Sequence, residues 1–227
     1  MIFTMPSVKA VIFDLDDTLI HSGIDYKRMK ASLINFLVES GAELVLNEDM
    51  PNIEIFRTAV ENLRKKNFPE NKIKNILDRA NQILNEAEME SLSRARLMDG
   101  ALETLSALKD QNIKVGIITN GCRRYAVEVI EMFSIGRYID ALIARDDVAD
   151  QKPNPQHLLK ALEILGVSAN EAIFVGDHWI DALCAKNAGV KFVLLRSRDE
   201  YKMWNFGGVR DAIDSAIDDL RELLRLL

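Results

Sequence analysis

Val11-Ile12-Phe13-Asp14-Leu15-Asp16-Asp17-Thr18-Leu19 decides the fold of this chain. An apolar run over residues 8–13 breaks off into three carboxylates, Asp14, Asp16 and Asp17, followed by Thr18. Continuous apolar β-formers read as a strand buried on both faces. Acids at the carboxyl end of such a strand stand where open α/β sheets build their sites. Gathering like charges in one place is unfavourable, so a metal cation or a reacting carboxylate is the expected reason for them.

Beyond residue 99 the same punctuation recurs. The pattern predicts helices over 101–109, 123–133, 155–165 and 180–187, alternating with strands over 114–119, 141–144, 172–176 and 192–195. Alternation of this kind implies a parallel α/β sheet. A last helix is expected over 209–226, with Ile213, Ile217, Leu220 and Leu224 on one face. Residues 26–97 are different. Met29, Leu33, Phe36 and Leu37 form one helical stripe, Ile55, Ala59 and Leu63 a second, and Ile73, Ile76, Ala80 and Leu84 a third; residues 43–49 are ambiguous. The expected organisation is an α/β domain, 1–20 with 99–227, interrupted by an all-helical insert over 21–98. Hinges are expected near 21–25 and 97–100, with the insert acting as a lid.

Composition narrows the classes. The 227 residues are 48% hydrophobic, enough for a proper core, and carry a net charge of −6. Residues 21–98 hold 12 basic and 12 acidic side chains, so the acidic excess belongs to the remainder. That balance disfavours nucleic-acid binding. No apolar run approaches a membrane span, and the first residues lack the features of a signal peptide. Two cysteines, Cys122 and Cys184, imply no disulfide framework. The expectation is a cytoplasmic protein, monomer or homodimer, with no membrane partner.

Four short motifs carry chemistry, each after an apolar strand. Asp14 and Asp16, two apart, can face one side if the strand persists, one as nucleophile and one as proton carrier. Thr119-Asn120-Gly121 offers a hydroxyl and backbone N–H groups at a helix start, which suits a phosphate; an N-cap turn would use the same residues. Lys152, before Pro153, could neutralise a phosphoryl group. Asp177 ends another strand, and Asp181 follows one helical turn later. Carboxylates such as Asp14 and Asp177 suit Mg²⁺, although turn and cap chemistry would also use them. His157 and His178 read as helix-start residues, His21 as the start of a hinge, Cys122 as a packed thiol, and Arg64, Lys65 and Lys66 as a solvated helix face. Trp204 and Phe206 read as packed loop residues.

The joint order of these motifs, D-x-D-x-T, T-N, K-P and G-D-x-x-x-D, resembles the haloacid dehalogenase superfamily of phosphohydrolases. The insert occupies the place of that superfamily's helical C1-type cap, in the layout of phosphoglycolate-phosphatase-like members. The resemblance implies a Rossmann-like core and a Mg²⁺-dependent phosphatase acting on a small phosphorylated metabolite through an aspartyl-phosphate. It implies that Asp14 is the nucleophile and Asp16 the general acid and then base, its backbone carbonyl also a metal ligand. Thr119 and Asn120 would hold phosphate oxygens and Lys152 would balance charge on Asp14. Asp177 would be the third protein ligand to Mg²⁺, with Thr18 and Asp181 in support. A phosphomutase of the same superfamily is the nearest alternative. A dehalogenase fits less well, because dehalogenases resembling this fold lack the second aspartate, here Asp16. A phospho-accepting receiver domain also fits less well: its acid pair precedes the phospho-acceptor, and it has no acidic motif after the lysine.

Overall fold

Strand β1 (Ala10–Phe13) is buried along its whole length, as its unbroken apolar sequence requires. The computed structural model describes residues 7–43, 50–196 and 209–227. The ambiguous residues 44–49 and the loop residues Trp204 and Phe206 lie outside that set. Seven further strands follow: β2 (Ile20–His21), β3 (Arg96–Leu97), β4 (Lys114–Ile118), β5 (Ala141–Ile143), β6 (Ala172–Gly176), β7 (Lys191–Leu195) and β8 (Ser215–Ile217). The helices are α1 (Tyr26–Glu39), α2 (Asn52–Lys65), α3 (Glu70–Ser91), α4 (Ala101–Asp110), α5 (Arg123–Met132), α6 (Gln156–Leu165) and α7 (Trp179–Ala188). No described helix is long and apolar enough to cross a membrane.

Six strands form one parallel sheet in the order β5-β4-β1-β6-β7-β8. This is an α/β, Rossmann-like core. The chain runs outward from β1 through β4 to β5, then returns to the other side of β1 with β6. Strand order therefore reverses at β1, where α/β sheets of this kind open a crevice at their carboxyl ends. Ile12, Phe174 and Phe192 line one face with α6 and α7, and the Phe174 and Phe192 rings meet edge to face at 5.8 Å. A Cβ on Gly116 of β4 would lie 3.2 Å from Leu165 and 3.3 Å from Ile12, so the close seating of α6 favours a glycine there.

The expected helix over 209–226 is corrected. That segment holds a 3-10 turn (Arg210–Ala212), the edge strand β8, and a second 3-10 stretch (Leu220–Arg225). Its apolar spacing fits a helix, but the open edge of β7 needs partners for its backbone. Strand β8 supplies them by pairing Val193 with Ser215 and Leu195 with Ile217, and Arg196 N donates to Ile217 O at 2.8 Å. Strands β2 and β3, which sequence period alone does not predict, pair antiparallel where hinges were expected. Two residues each are too few to show a period.

By its contacts the chain divides into two compact units, Met1–Ser22 with Ala95–Leu227, and Gly23–Arg94. The second unit is helical among its described residues. Its core joins Leu33 and Leu37 of α1, Ile55 and Leu63 of α2, and Ile73, Ala80 and Leu84 of α3. Asp25 starts α1 by accepting from Arg28 N at 2.9 Å.

His157 ties α6 into the sheet unit. It is fully buried; its Nε2 meets Ile143 O at 3.1 Å, and its Nδ1 accepts from Lys152 N at 3.3 Å. Burial, reinforced by the Lys152 charge, pushes the imidazole pKa down to about 4. The unfolded chain protonates near its ordinary value, so the folded state binds fewer protons below that point. Stability therefore falls as pH drops from about 6.5 toward 4. His157→Gln, compared with the parent by urea unfolding at pH 7 and pH 5, should reduce this acid-linked loss by about 2 kcal/mol. Parallel pH profiles for the two proteins would show that His157 carries no such linkage.

Candidate active site

Three strand ends converge on one cluster. Asp14 follows β1, Thr119 follows β4 and Asp177 follows β6; all three side chains are buried. The pairing of β1 with β6 continues one step past the strand, with Asp14 N donating to Val175 O at 2.9 Å. Strand β1 itself stops at Phe13 and the chain turns, with Asp17 in the left-handed region at φ 57°. Asp14 and Asp16 are consequently held by different partners, not by a shared strand face.

Lys152 occupies the centre. Its ammonium donates to Asp14 Oδ1 at 2.5 Å and to Asp181 Oδ1 at 2.7 Å, and it is only 3% exposed. Burial opposes its charge, but the two carboxylates outweigh that and hold its pKa above the ordinary lysine value. Asp14 responds in the other direction. Burial dominates, Lys152 counteracts it, and the nearby Asp181 and Asp16 charges add to it, so the Asp14 pKa is pushed above the ordinary aspartate value.

Asp181 has a second task. His178 caps α7 by accepting from Ile180 N at 3.3 Å, and Asp181 Oδ2 accepts from His178 N at 3.2 Å. A carboxylate in the first turn also faces the positive end of the helix. A Cβ on Gly176 would sit 2.7 Å from Asp181 Cβ, so this glycine leaves the room in which Asp181 turns toward Lys152.

Asp14, Asp177 and Asp181 each offer a carboxylate oxygen, and these atoms lie within 4.8 Å of one another. Three buried carboxyl groups share one ammonium, so a further positive charge among them would favour their ionised forms. Hard oxygen donors in that arrangement fit a divalent cation such as Mg²⁺. Thr18 donates to Asp177 Oδ1 at 3.1 Å, which fixes that carboxylate. The Asp16 carboxylate is held from another side, by the end of β4 and by α5. Its Oδ2 accepts from Thr119 Oγ1 at 3.1 Å, and its Oδ1 accepts from Tyr125 OH at 2.7 Å.

The phosphate-loop candidates are arranged as one turn. Thr119 Oγ1 accepts from Gly121 N at 2.9 Å, and Asn120 Nδ2 donates to Lys152 O at 3.1 Å, tying this loop to the lysine loop. Arg145 donates through Nη1 to Asn120 O at 2.8 Å. Cys122 is buried, as a packed thiol would be. Sequence inspection missed Tyr125 and Arg145. Tyr125 had a signal: an aromatic early in the helix that follows the Thr-Asn-Gly turn. Arg145 had none, because it meets the loop across the sheet edge.

A model of the haloacid dehalogenase-like hydrolase family matches residues 11–195. The chain is 30% identical over 227 residues to a phosphoglycolate phosphatase of Pseudomonas fluorescens strain Pf0-1, covering 95% of this chain and 78% of that one. It is 41% identical over 93 residues to pyrophosphatase PpaX of Halalkalibacterium halodurans, 41% of this chain and 43% of that protein. Among solved structures, a HAD-superfamily hydrolase of subfamily IA, variant 1, from Geobacter sulfurreducens superposes with a TM-score of 0.63 at 24% identity, covering 97% of this chain and 100% of that one. That likeness concerns the fold; the family model spans every strand end that builds the cluster, and by that match this chain belongs to the haloacid dehalogenase-like hydrolases.

Proposed function

We propose that the chain is a Mg²⁺-dependent phosphatase that hydrolyses a small phosphomonoester through a phosphorylated Asp14. The observation that carries this reading is the buried Asp14 carboxylate at the end of the central strand, gripped by Lys152 and flanked by Asp177 and Asp181. Names of relatives support the reaction class, and the pyrophosphatase among them puts inorganic pyrophosphate on the substrate panel.

In the proposed reaction an oxygen of Asp14 attacks phosphorus in line with the departing oxygen. The bond from phosphorus to the leaving group breaks, and Asp16 gives that oxygen its proton. Asp16 then takes a proton from water as the water attacks phosphorus, and the Asp14–phosphorus bond breaks to release phosphate. Thr119 and Asn120 hold phosphoryl oxygens. Lys152 offsets negative charge on Asp14 and the transferring group. Asp14, Asp177 and the Asp16 backbone carbonyl would hold Mg²⁺, with Asp181 supporting; a bound ion would reduce repulsion between carboxylate and anionic substrate. The division into a catalytic unit, 1–20 with 99–227, and a substrate-selecting insert, 21–98, is part of the same proposal.

Asp14→Asn should fold normally yet lose at least ~10³-fold in turnover of p-nitrophenyl phosphate, because the amide keeps the size without the nucleophilic charge. A folded variant that still releases phosphate at near-parental rate would exclude the mechanism.

Mg²⁺ should raise the melting temperature of the parent protein, and Asp177→Asn should lose that rise, since a ligand bound only by the folded state stabilises it. EDTA should remove activity and added Mg²⁺ restore it. A melting temperature indifferent to Mg²⁺ in the parent would remove the metal from the proposal.

Asp16→Asn should slow an alkyl phosphate drawn from the substrate panel by roughly 10²–10⁴-fold and p-nitrophenyl phosphate by much less, because a good leaving group needs little protonation. Equal losses on both would deny Asp16 the role of acid.

A further inference from the structure

Asp16 accepts from Thr119 and from Tyr125, and the first of these bonds competes with the proposed task of Thr119. The Thr119 hydroxyl carries one proton, which it donates to Asp16 Oδ2 at 3.1 Å. It cannot donate that proton to a phosphate oxygen at the same time. Its acceptor side is also engaged, by Gly121 N at 2.9 Å. Once Thr119 turns its proton to phosphate, Asp16 Oδ2 loses this donor.

Tyr125 meets the other oxygen. Its hydroxyl donates to Asp16 Oδ1 at 2.7 Å, and the residue is fully buried on α5. Full burial of the side chain leaves the ring little latitude. A rigid phenol whose body is packed and whose polar tip reaches one carboxylate oxygen is well suited to hold that group in place.

We propose that Tyr125 is the positioning residue for Asp16, holding its carboxyl group in register for proton transfer while Thr119 serves the phosphate. The proposal rests on the reading of Asp16 as the acid–base group. Tyr125 acts through Asp16 and exchanges no proton with substrate. Proton transfer needs heavy atoms within hydrogen-bond reach, and a displacement of about 1 Å can lower a rate by ~10². Loss of the Tyr125 hydroxyl therefore weakens the step that depends on Asp16 and spares the steps that do not.

The test compares Tyr125→Phe, Asp16→Asn and the double variant on p-nitrophenyl phosphate and on an alkyl phosphate. Tyr125→Phe should lower kcat on the alkyl phosphate by about 10- to 100-fold, lower it on p-nitrophenyl phosphate by less than about 3-fold, and leave KM nearly unchanged. Added to Asp16→Asn it should cost nothing further, because the group it positions is already gone. Should Tyr125→Phe not fold, 4-fluorophenylalanine at position 125 keeps the length and shape of the side chain while removing the donor, and should show the same leaving-group dependence. Equal losses on both substrates, no loss, or a full additional loss in the double variant would make Tyr125 a packing residue only. Leaving-group dependence in Asp16→Asn without it in Tyr125→Phe overturns the role of Tyr125 alone; its absence in Asp16→Asn removes the reading beneath it as well.

Discussion

One ammonium holds this site together. Lys152 lies between Asp14 and Asp181, at 2.5 and 2.7 Å, with almost no solvent exposure. Desolvating an ion triad is expensive, and an apolar replacement of similar volume is often at least as stable. Such a cluster is weak evidence for stability and better evidence for chemistry. The loop that delivers the lysine is anchored accordingly. His157 accepts from the Lys152 backbone, Asn120 donates to its carbonyl, and Asn187 donates to Pro153 O at 3.4 Å. Each anchor comes from a different element, so the ammonium is placed by the fold as a whole.

The sheet supplies the other half of that placement. Strands β1, β4 and β6 are neighbours, so the residues that follow them arrive at one edge. Helix α7 then contributes Asp181 from its first turn, where the same carboxylate completes the helix cap and meets the lysine. Cap chemistry and site chemistry are not alternatives here; one side chain does both. The division of Asp14 from Asp16 follows from the end of β1 at Phe13 and the bend of the chain between the two acids. Asp14 joins the lysine and the carboxylate trio, and Asp16 joins Thr119 and Tyr125.

Much of the sheet was legible in the sequence, because β1, β4, β6 and β7 are buried apolar runs that stop at polar residues, and period alone marks them. The edge strand β8 was not legible. Its apolar spacing also fits a helix, and only the unpaired edge of β7 decides between them. The pairing of β2 with β3 depends on contacts across a long stretch of chain, which no local pattern encodes. Within the site, Asp14, Asp177, Asp181 and Lys152 were visible as residue types at strand ends, and the structure brings them into one cluster. Their partners were not. Tyr125 showed only as an aromatic early in the helix after the Thr-Asn-Gly turn, and His157 as a helix-start residue, because a side-chain hydrogen bond leaves no periodic trace.

The central claim is that Asp14 carries the phosphoryl group in transit. The most direct measurement is a rapid acid quench of the enzyme turning over substrate with Mg²⁺, followed by borohydride reduction and peptide mass spectrometry. An acyl phosphate at Asp14 is reduced to homoserine at that position, and this product should appear only when substrate is present. A trapped phosphoryl group on any other side chain, or unmodified Asp14 under conditions in which a burst of leaving group has been released, would contradict it.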